Sequence, residues 1–139
     1  MWICPDCGRG FGKTRQGHFC EPGLSLSDYF TTADEREEPI FEAIRDHVES
    51  LGDVHIEALA AGIWFKNGPT CIELRPKTKW VAVCFKLPTK LSGDRFSRNV
   101  VQAGGTGSKW YHVVNVRDAA EVDEQLLDWL TEAYFTAEL

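Results

Sequence analysis

The sequence predicts an α+β domain: an antiparallel sheet of about five strands with an N-terminal and a C-terminal helix packed on one face, preceded by a small segment organised by cysteine and histidine. Three observations predict it. Cysteines and a histidine gather at positions 4, 7, 18 and 20. Apolar residues change from a helical period to strict alternation at Val54, and back to a helical period after Asp118. Between those points WVAVCFKL, residues 80–87, puts Val81, Val83, Phe85 and Leu87 on one side of an extended strand and Trp80, Ala82, Cys84 and Lys86 on the other.

Residues 1–22 come first. Trp2-Ile-Cys4-Pro-Asp-Cys7-Gly-Arg-Gly-Phe11 has the form of a zinc knuckle, in which two nearby thiolates share one ion and the glycine after the second lets backbone amides turn toward sulfur. His18 and Cys20, at i and i+2 on extended chain, point to the same side and complete a Cys3His set of Cys4, Cys7, His18 and Cys20. Such a closed set reads as structural zinc, because catalytic zinc keeps a position open for water. A segment this short has almost no core, so the metal would supply most of its folding energy. The alternative, a redox Cys-x-x-Cys pair, lacks the surrounding strand-then-helix pattern. Arg9, Lys13 and Arg15 lie between the ligand pairs, as a solvated rim or as a contact to nucleic acid or an acidic partner.

Glu21-Pro-Gly23 breaks the chain and separates this zinc ribbon from an α+β domain over 23–139. Ser25 or Ser27 can cap a short helical turn through Phe30. Pro39 then stands near the start of a helix whose Ile40, Phe41, Ile44, Val48 and Leu51 share one face, and Gly52 ends it. Glu38, Glu42, Asp46 and Glu49, preceded by Asp34, Glu35 and Glu37, make an acidic ridge. The ridge reads as a solvated face favoured by the helix dipole or, alternatively, as a collector of hard cations.

Alternation predicts strands at 54–59, 63–66, 71–74, 80–87 and 111–116, with turns at Asn67-Gly68-Pro69 and Pro76-Lys77-Thr78-Lys79. The passage 88–109 holds a short helix or edge strand over 94–101 and the sequence Gly104-Gly105-Thr106-Gly107. The latter reads as a hairpin loop, since no Lys-Ser/Thr follows to make it a phosphate loop. Asp118 is predicted to cap a helix of about eighteen residues with Val122, Leu126, Leu130, Ala133 and Ala137 along its buried stripe.

With both helices on one face, the other face presents Trp64 and Lys66, then Cys71, Glu73 and Arg75, then Trp80, Cys84 and Lys86. Trp64, Lys66, Arg75, Trp80 and Lys86 are the ligand-binding candidates, because indoles stack and cations neutralise a nucleotide or a single strand. Lys77, Lys79, Arg95, Arg98 and Lys109 add peripheral charge. The same face could serve as a dimer interface or be covered by the zinc segment. Cys71 and Cys84 read as small buried hydrophobes.

At 139 residues and 43% hydrophobic, the chain can bury one good core plus an appendage too small for its own. No run of about 18 apolar residues occurs and no charged-then-apolar leader opens the chain, so neither a membrane span nor a signal peptide is read. The expected location is the cytoplasm, where an odd count of five cysteines containing a Cys-x-x-Cys pair points to metal ligation before disulfides. The net charge of −6 is segregated: +2 over 1–20, −9 over 21–60, +8 over 61–117 and −7 over 118–139. Overall acidity argues against unspecific nucleic-acid binding, while the basic middle leaves room for a local anion site.

The opening WxCPxCGRGF followed by HxC, together with GIWFK, ELRPK and DEQLLDWLTEAY, resembles bacterial, often actinobacterial, proteins that join a zinc ribbon to an uncharacterised domain of unknown function. The resemblance covers nearly the whole chain and implies zinc on Cys4, Cys7, His18 and Cys20, with no activity or catalytic residues to carry over. The helix, sheet, helix order is also distantly similar to frataxin-like α+β domains, which implies an acidic first helix that handles iron and an open sheet face that meets partners.

The sequence therefore points to a non-enzymatic binding module with a structural zinc site that offers a basic, aromatic sheet face to an anionic partner such as nucleic acid. Protein interaction or homodimerisation through that face is the alternative; metal handling or an unrecognised enzyme comes third. His55, Glu57, Glu73 and His112 are the acid–base candidates, and no spacing joins them into nucleophile, base and orienter, although His55 and Glu57 share a strand face.

Overall fold

In the computed structural model, which describes residues 1–97, 99–103 and 109–138, a hairpin of β1 (Trp2–Ile3) and β2 (Gly10–Phe11) leads into α1 (Leu26–Thr31) and α2 (Glu37–Leu51). A six-stranded antiparallel sheet follows, made of β3 (His55–Leu59), β4 (Gly62–Lys66), β5 (Thr70–Pro76), β6 (Val81–Leu87), β7 (Val101–Gln102) and β8 (Trp110–Val116). Its order is β3-β4-β5-β6-β8-β7, so the hairpins from β3 to β6 are sequential and β8 enters between β6 and β7. α3 (Glu124–Phe135) closes the fold. No helix among the described residues is long and apolar enough to cross a membrane.

The five expected strands form with ends shifted by a residue or two, and β7 adds a sixth. β7 is two exposed residues held by pairing to Tyr111 and Trp110, and Phe96 bridges to Val114, so Phe96 and Val101–Gln102 lie along the outer edge of β8. Of the passage 94–101, Phe96 and Val101 take edge pairing, Asp94 and Arg95 form a turn, and no helix forms among the described residues. Arg98 and the Gly104-Gly105-Thr106-Gly107 stretch lie outside the described residues.

The last helix is shorter than its apolar stripe implies. Asp118 caps only a 3-10 turn over Ala119–Glu121, and Val122 leaves helical geometry at ψ 80°. A second aspartate, Asp123, then accepts from Leu126 N at 3.0 Å and starts a 12-residue α3. Two capping residues five positions apart split the stripe, because each draws the following amides onto its own carboxylate.

Both long helices pack on one sheet face. Ile40, Phe41, Ile44 and Val48 of α2 and Leu126, Leu130 and Ala133 of α3 are buried against Ile63, Phe65, Ile72, Leu74, Val83, Phe85, Leu87, Val114 and Val116. Ser25 caps α1 by accepting from Asp28 N at 3.0 Å. On the far side of the sheet, Ala82, Cys84 and Val113 form a second, smaller cluster beside Tyr111. The central strand β6 is thus buried on both faces for most of its length, not on one.

His112 of β8 sits wholly inside the main core. Its Nδ1–H donates to Trp110 O at 3.0 Å, its Nε2 accepts from Leu91 N at 3.0 Å, and its ring stacks on Phe85 with centroids 5.4 Å apart. Burial holds its pKa below the ordinary value, so the folded chain keeps it neutral while the unfolded chain titrates normally. Stability is therefore complete above about pH 6.5 and falls as the pH drops below it, because the unfolded state then binds the extra proton. Urea unfolding between about pH 7 and 5 checks this: the midpoint should fall in the native chain, and the slope should shrink in His112→Phe.

Candidate metal site and ligand groove

The β1–β2 hairpin positions the first two donors. Cys4 N donates to Arg9 O at 2.9 Å, Gly8 N donates to Cys4 O at 2.8 Å, and Gly8 takes φ +75°, a turn conformation that favours glycine. His18 donates from Nδ1 to Gln16 O at 2.6 Å, which leaves Nε2 as the lone-pair donor, and its ring stacks on Phe11 at 4.0 Å. The donor atoms of Cys4, Cys7, His18 and Cys20 all lie within 4.8 Å of one another. Cys4 Sγ and Cys20 Sγ are 3.8 Å apart; His18 Nε2 is 3.5 Å from Cys7 Sγ and 3.3 Å from Cys20 Sγ.

Those separations can be compared with what an ion demands. Metal–sulfur bonds of about 2.3 Å and a metal–nitrogen bond of about 2.0 Å in a tetrahedron require edges of about 3.8 Å between sulfurs and about 3.5 Å between sulfur and nitrogen. The set could hold one metal ion with little movement. The amide of Cys7 draws the Cys4 thiol down to about 7, whereas the neighbouring Cys4 pushes Cys20 up to about 11. Binding a metal to all three sulfurs therefore releases protons, and affinity weakens in acid.

This segment is fixed to the sheet through Glu57 on β3. The Glu57 carboxylate accepts from Gly10 N at 2.6 Å and Arg9 Nε at 3.0 Å, and it pairs with Lys66 Nζ at 2.8 Å and His55 Nε2 at 2.7 Å. Lys66 also donates to Gly10 O at 2.7 Å and lies 4.2 Å over the Phe11 ring. Burial alone would raise the Glu57 pKa; Lys66, the Gly10 amide and Arg9 outweigh it and hold the carboxyl at about 2. Burial lowers that of Lys66, against the pull of Glu57.

Lys66 is thus not a groove cation. It is 3% exposed, covered by the Cys/His segment, and already paired. Arg9 likewise is a docking residue rather than a solvated rim, while Lys13 and Arg15 are exposed. Cys71 joins the main core near a bulge that shifts the register between Phe65 and Lys66. Both Cys71 and Cys84 are 2% exposed, and burial pushes the Cys71 thiol up to about 11.

At the opposite end of the same face, the β5–β6 hairpin walls a groove of about 640 Å³. Arg75, Lys77, Lys79 and Trp80 stand along it, Ala82, Cys84 and Val113 form its floor, and Ser97 and Asn115 flank it. It is concave because three small side chains lie side by side on β6 and β8 between an indole and the crossover chain. Among the described residues, every charged one that lines it is a base. Glu73, the nearby carboxylate, is taken by Arg75 Nε at 3.2 Å and Tyr111 Oη at 2.8 Å. The Arg75 guanidinium also lies 5.4 Å over the Trp64 ring.

Of the ligand candidates, then, Arg75 and Trp80 line the groove, and Trp64 lies beneath Arg75 on the next strand. Lys86, opposite Tyr111 in the register, does not line it. Lys77 and Lys79 do. Arg95 is bound to Asp123 at 2.8 Å, and Lys109 donates to Thr136 O and Ala137 O at the end of α3, so neither is part of the groove. Ser97 and Asn115 have no sequence signal that marks them for the site; Ser97 reaches it because its N–H donates to Val113 O at 2.9 Å. The acid–base candidates separate: His55 meets Glu57, Glu73 is two strands away, and His112 is on the opposite face. Among the described residues the acidic ridge of α2 assembles no donor cluster for a metal, and Glu42 and Glu49 pair with Arg45 instead.

Residues 26–137 match the family described as a domain of unknown function, DUF5655, a span that runs from α1 through α3 and leaves out the Cys/His segment. No curated protein and no solved structure matches the chain.

Proposed function

The chain belongs to the DUF5655 family, and from that premise we propose that it is a binding module and not an enzyme: residues 1–22 carry a structural zinc site, and the groove on the open face takes an anionic partner, nucleic acid included. The observation that carries the reading is the groove's lining, in which, among the described residues, Arg75, Lys77 and Lys79 are joined by Trp80 and by no carboxylate. Zinc follows from the donor chemistry, since three thiolates and an imidazole in a tetrahedron select it and leave no position for a reacting water. A thiolate-rich site of this kind suits a reducing compartment, the bacterial cytoplasm. The bacterial zinc-ribbon likeness rests on the opening WxCPxCGRGF and HxC motifs.

Titration with short single- and double-stranded nucleic acids tests the reading. Three cations on phosphates of a single strand give a salt slope of about −2, so affinity should fall roughly 20-fold between 50 and 200 mM salt. Reversing Lys77 and Lys79 to glutamate should abolish that binding without changing the fold. Absence of salt-sensitive binding would sink it.

Self-association through the same face is the second reading, favoured by the −9 and −7 charge of the segments that carry the helices, which complements the basic groove of another copy. Sedimentation at several concentrations decides it. A monomer that is unchanged by concentration and by Trp80→Glu removes the idea.

A further inference from the structure

We infer that the groove takes a single nucleoside phosphate unit, its base laid against Trp80 over the Ala82, Cys84 and Val113 floor and its phosphates at Arg75, Lys77 and Lys79. This deepens the anionic-partner reading and rests on it.

Size is the first argument. A groove of about 640 Å³ lies within the range of small-ligand sites, about 300–1,000 Å³, and is far smaller than the footprint of a duplex. Polarity is the second. The floor is apolar, with Ala82 4%, Cys84 2% and Val113 6% exposed, whereas among the described residues the lining cations stand along the hairpin side. A bare phosphate would use the cations and leave the apolar floor without a partner; an uncharged ring would do the reverse. A ligand that satisfies both has a flat, weakly polar part joined to an anionic end, and a base with its phosphates has that shape.

The flanking polar groups fit the same ligand. Asn115, opposite Ala82 in the register, offers an amide that both donates and accepts, and Ser97 offers a hydroxyl, which together can meet the edge of a base. An acyl chain with a carboxylate would also pair apolar and anionic parts, but it gives these polar groups nothing to bind.

The rim is held in place before any ligand arrives. Lys77 N donates to Trp80 O at 2.7 Å, and Arg36 Nη1 reaches Thr78 O at 3.4 Å, so the turn that carries the lysines is tied to itself and to α2's N-terminal end. Arg75 is oriented by Glu73 through Nε while its side chain stays 39% exposed. The backbone of the rim therefore needs little ordering on binding, and the cost falls on the Lys77 and Lys79 side chains.

The test uses the full metal-loaded chain, without added magnesium, titrated with ATP, GTP, CTP, UTP, inorganic tripolyphosphate, adenosine and an oligothymidylate of about ten nucleotides. Binding is read by calorimetry and by the Trp80 indole N–H and Val113 methyl resonances. At least one nucleotide should bind tenfold or more tightly than tripolyphosphate, shift both resonances, and fall to the tripolyphosphate level in Trp80→Ala. The oligonucleotide arm separates the two sources of such a unit: tenfold tighter binding than the free nucleotide assigns a strand, and equal or weaker binding assigns the free nucleotide. If tripolyphosphate matches all four nucleotides, the base has no place and this inference is wrong while the anionic reading stands. If none of the phosphates and no strand binds, both fall together.

Discussion

Replacing Glu57 with alanine is expected to cost about 3–5 kcal/mol of folding stability. The substitution removes the acceptor of Gly10 N and the counter-charge of Lys66, whose side chain is 4% exposed and retains Gly10 O and the face of the Phe11 ring but no anion. An ammonium left in that position is neither hydrated nor neutralised, which is the expensive case among buried ion pairs. Arg9 loses its carboxylate in the same step and keeps Phe19 O, an acceptor of its own segment, so the β1–β2 hairpin should lift from the sheet. Urea unfolding at neutral pH measures the loss. Trypsin cleavage at Arg9, Lys13 and Arg15, faster than in the native chain, reports the lifting. Glu42→Ala is the control: its pair with Arg45 is part-exposed, and its loss should stay within about 0.5 kcal/mol. If both variants unfold alike, Glu57 does not anchor the segment.

The second large effect is metal removal. Purified protein should carry about one zinc per chain, and Cys7→Ser or a strong chelator should release it and unfold residues 1–22. The consequence should not stop there. Arg9 and Gly10 belong to the metal-folded hairpin and hold Glu57 and Lys66, so losing the hairpin also loosens β3 and β4. A drop of roughly 5–10 °C in the melting of the remaining domain is expected, equivalent to a few kcal/mol at this chain length. An unchanged melting temperature after chelation would show that segment and sheet are energetically independent. Iron in place of zinc, or a metal-free chain that keeps the hairpin, would contradict the zinc assignment.

Much of this architecture is local and therefore legible in the sequence. Strands such as β6 announce themselves because alternate residues face opposite sides, and α2 because Ile40, Phe41, Ile44 and Val48 recur at helical spacing. The metal donors were equally plain, since thiol and imidazole spacing is a local property. Glu57 was not: one carboxylate on a strand has no local signature, and its role depends on Gly10, 47 residues away. Lys66 was misplaced for the same reason, because alternation names a face but not which end of it another segment covers. The groove was half visible. Trp80 and Arg75 follow from alternation in and beside one hairpin, while Ser97 and Asn115 arrive only because β8 inserts between β6 and β7. β7 has two exposed residues and no pattern at all.

That insertion also bears on how the chain comes off the ribosome. The hairpins from β3 to β6 can zip in sequence as they emerge, but β6 must then wait for β8, whose Trp110–Val116 pairs with it along its full length. In the interval Val81, Val83, Phe85 and Leu87 stand on an unpaired edge, the kind of edge that recruits strands from other chains. A released chain truncated before residue 110 would present that edge to its neighbours, so aggregation of incomplete chains should be governed by the lack of β8 more than by the stability of the finished fold.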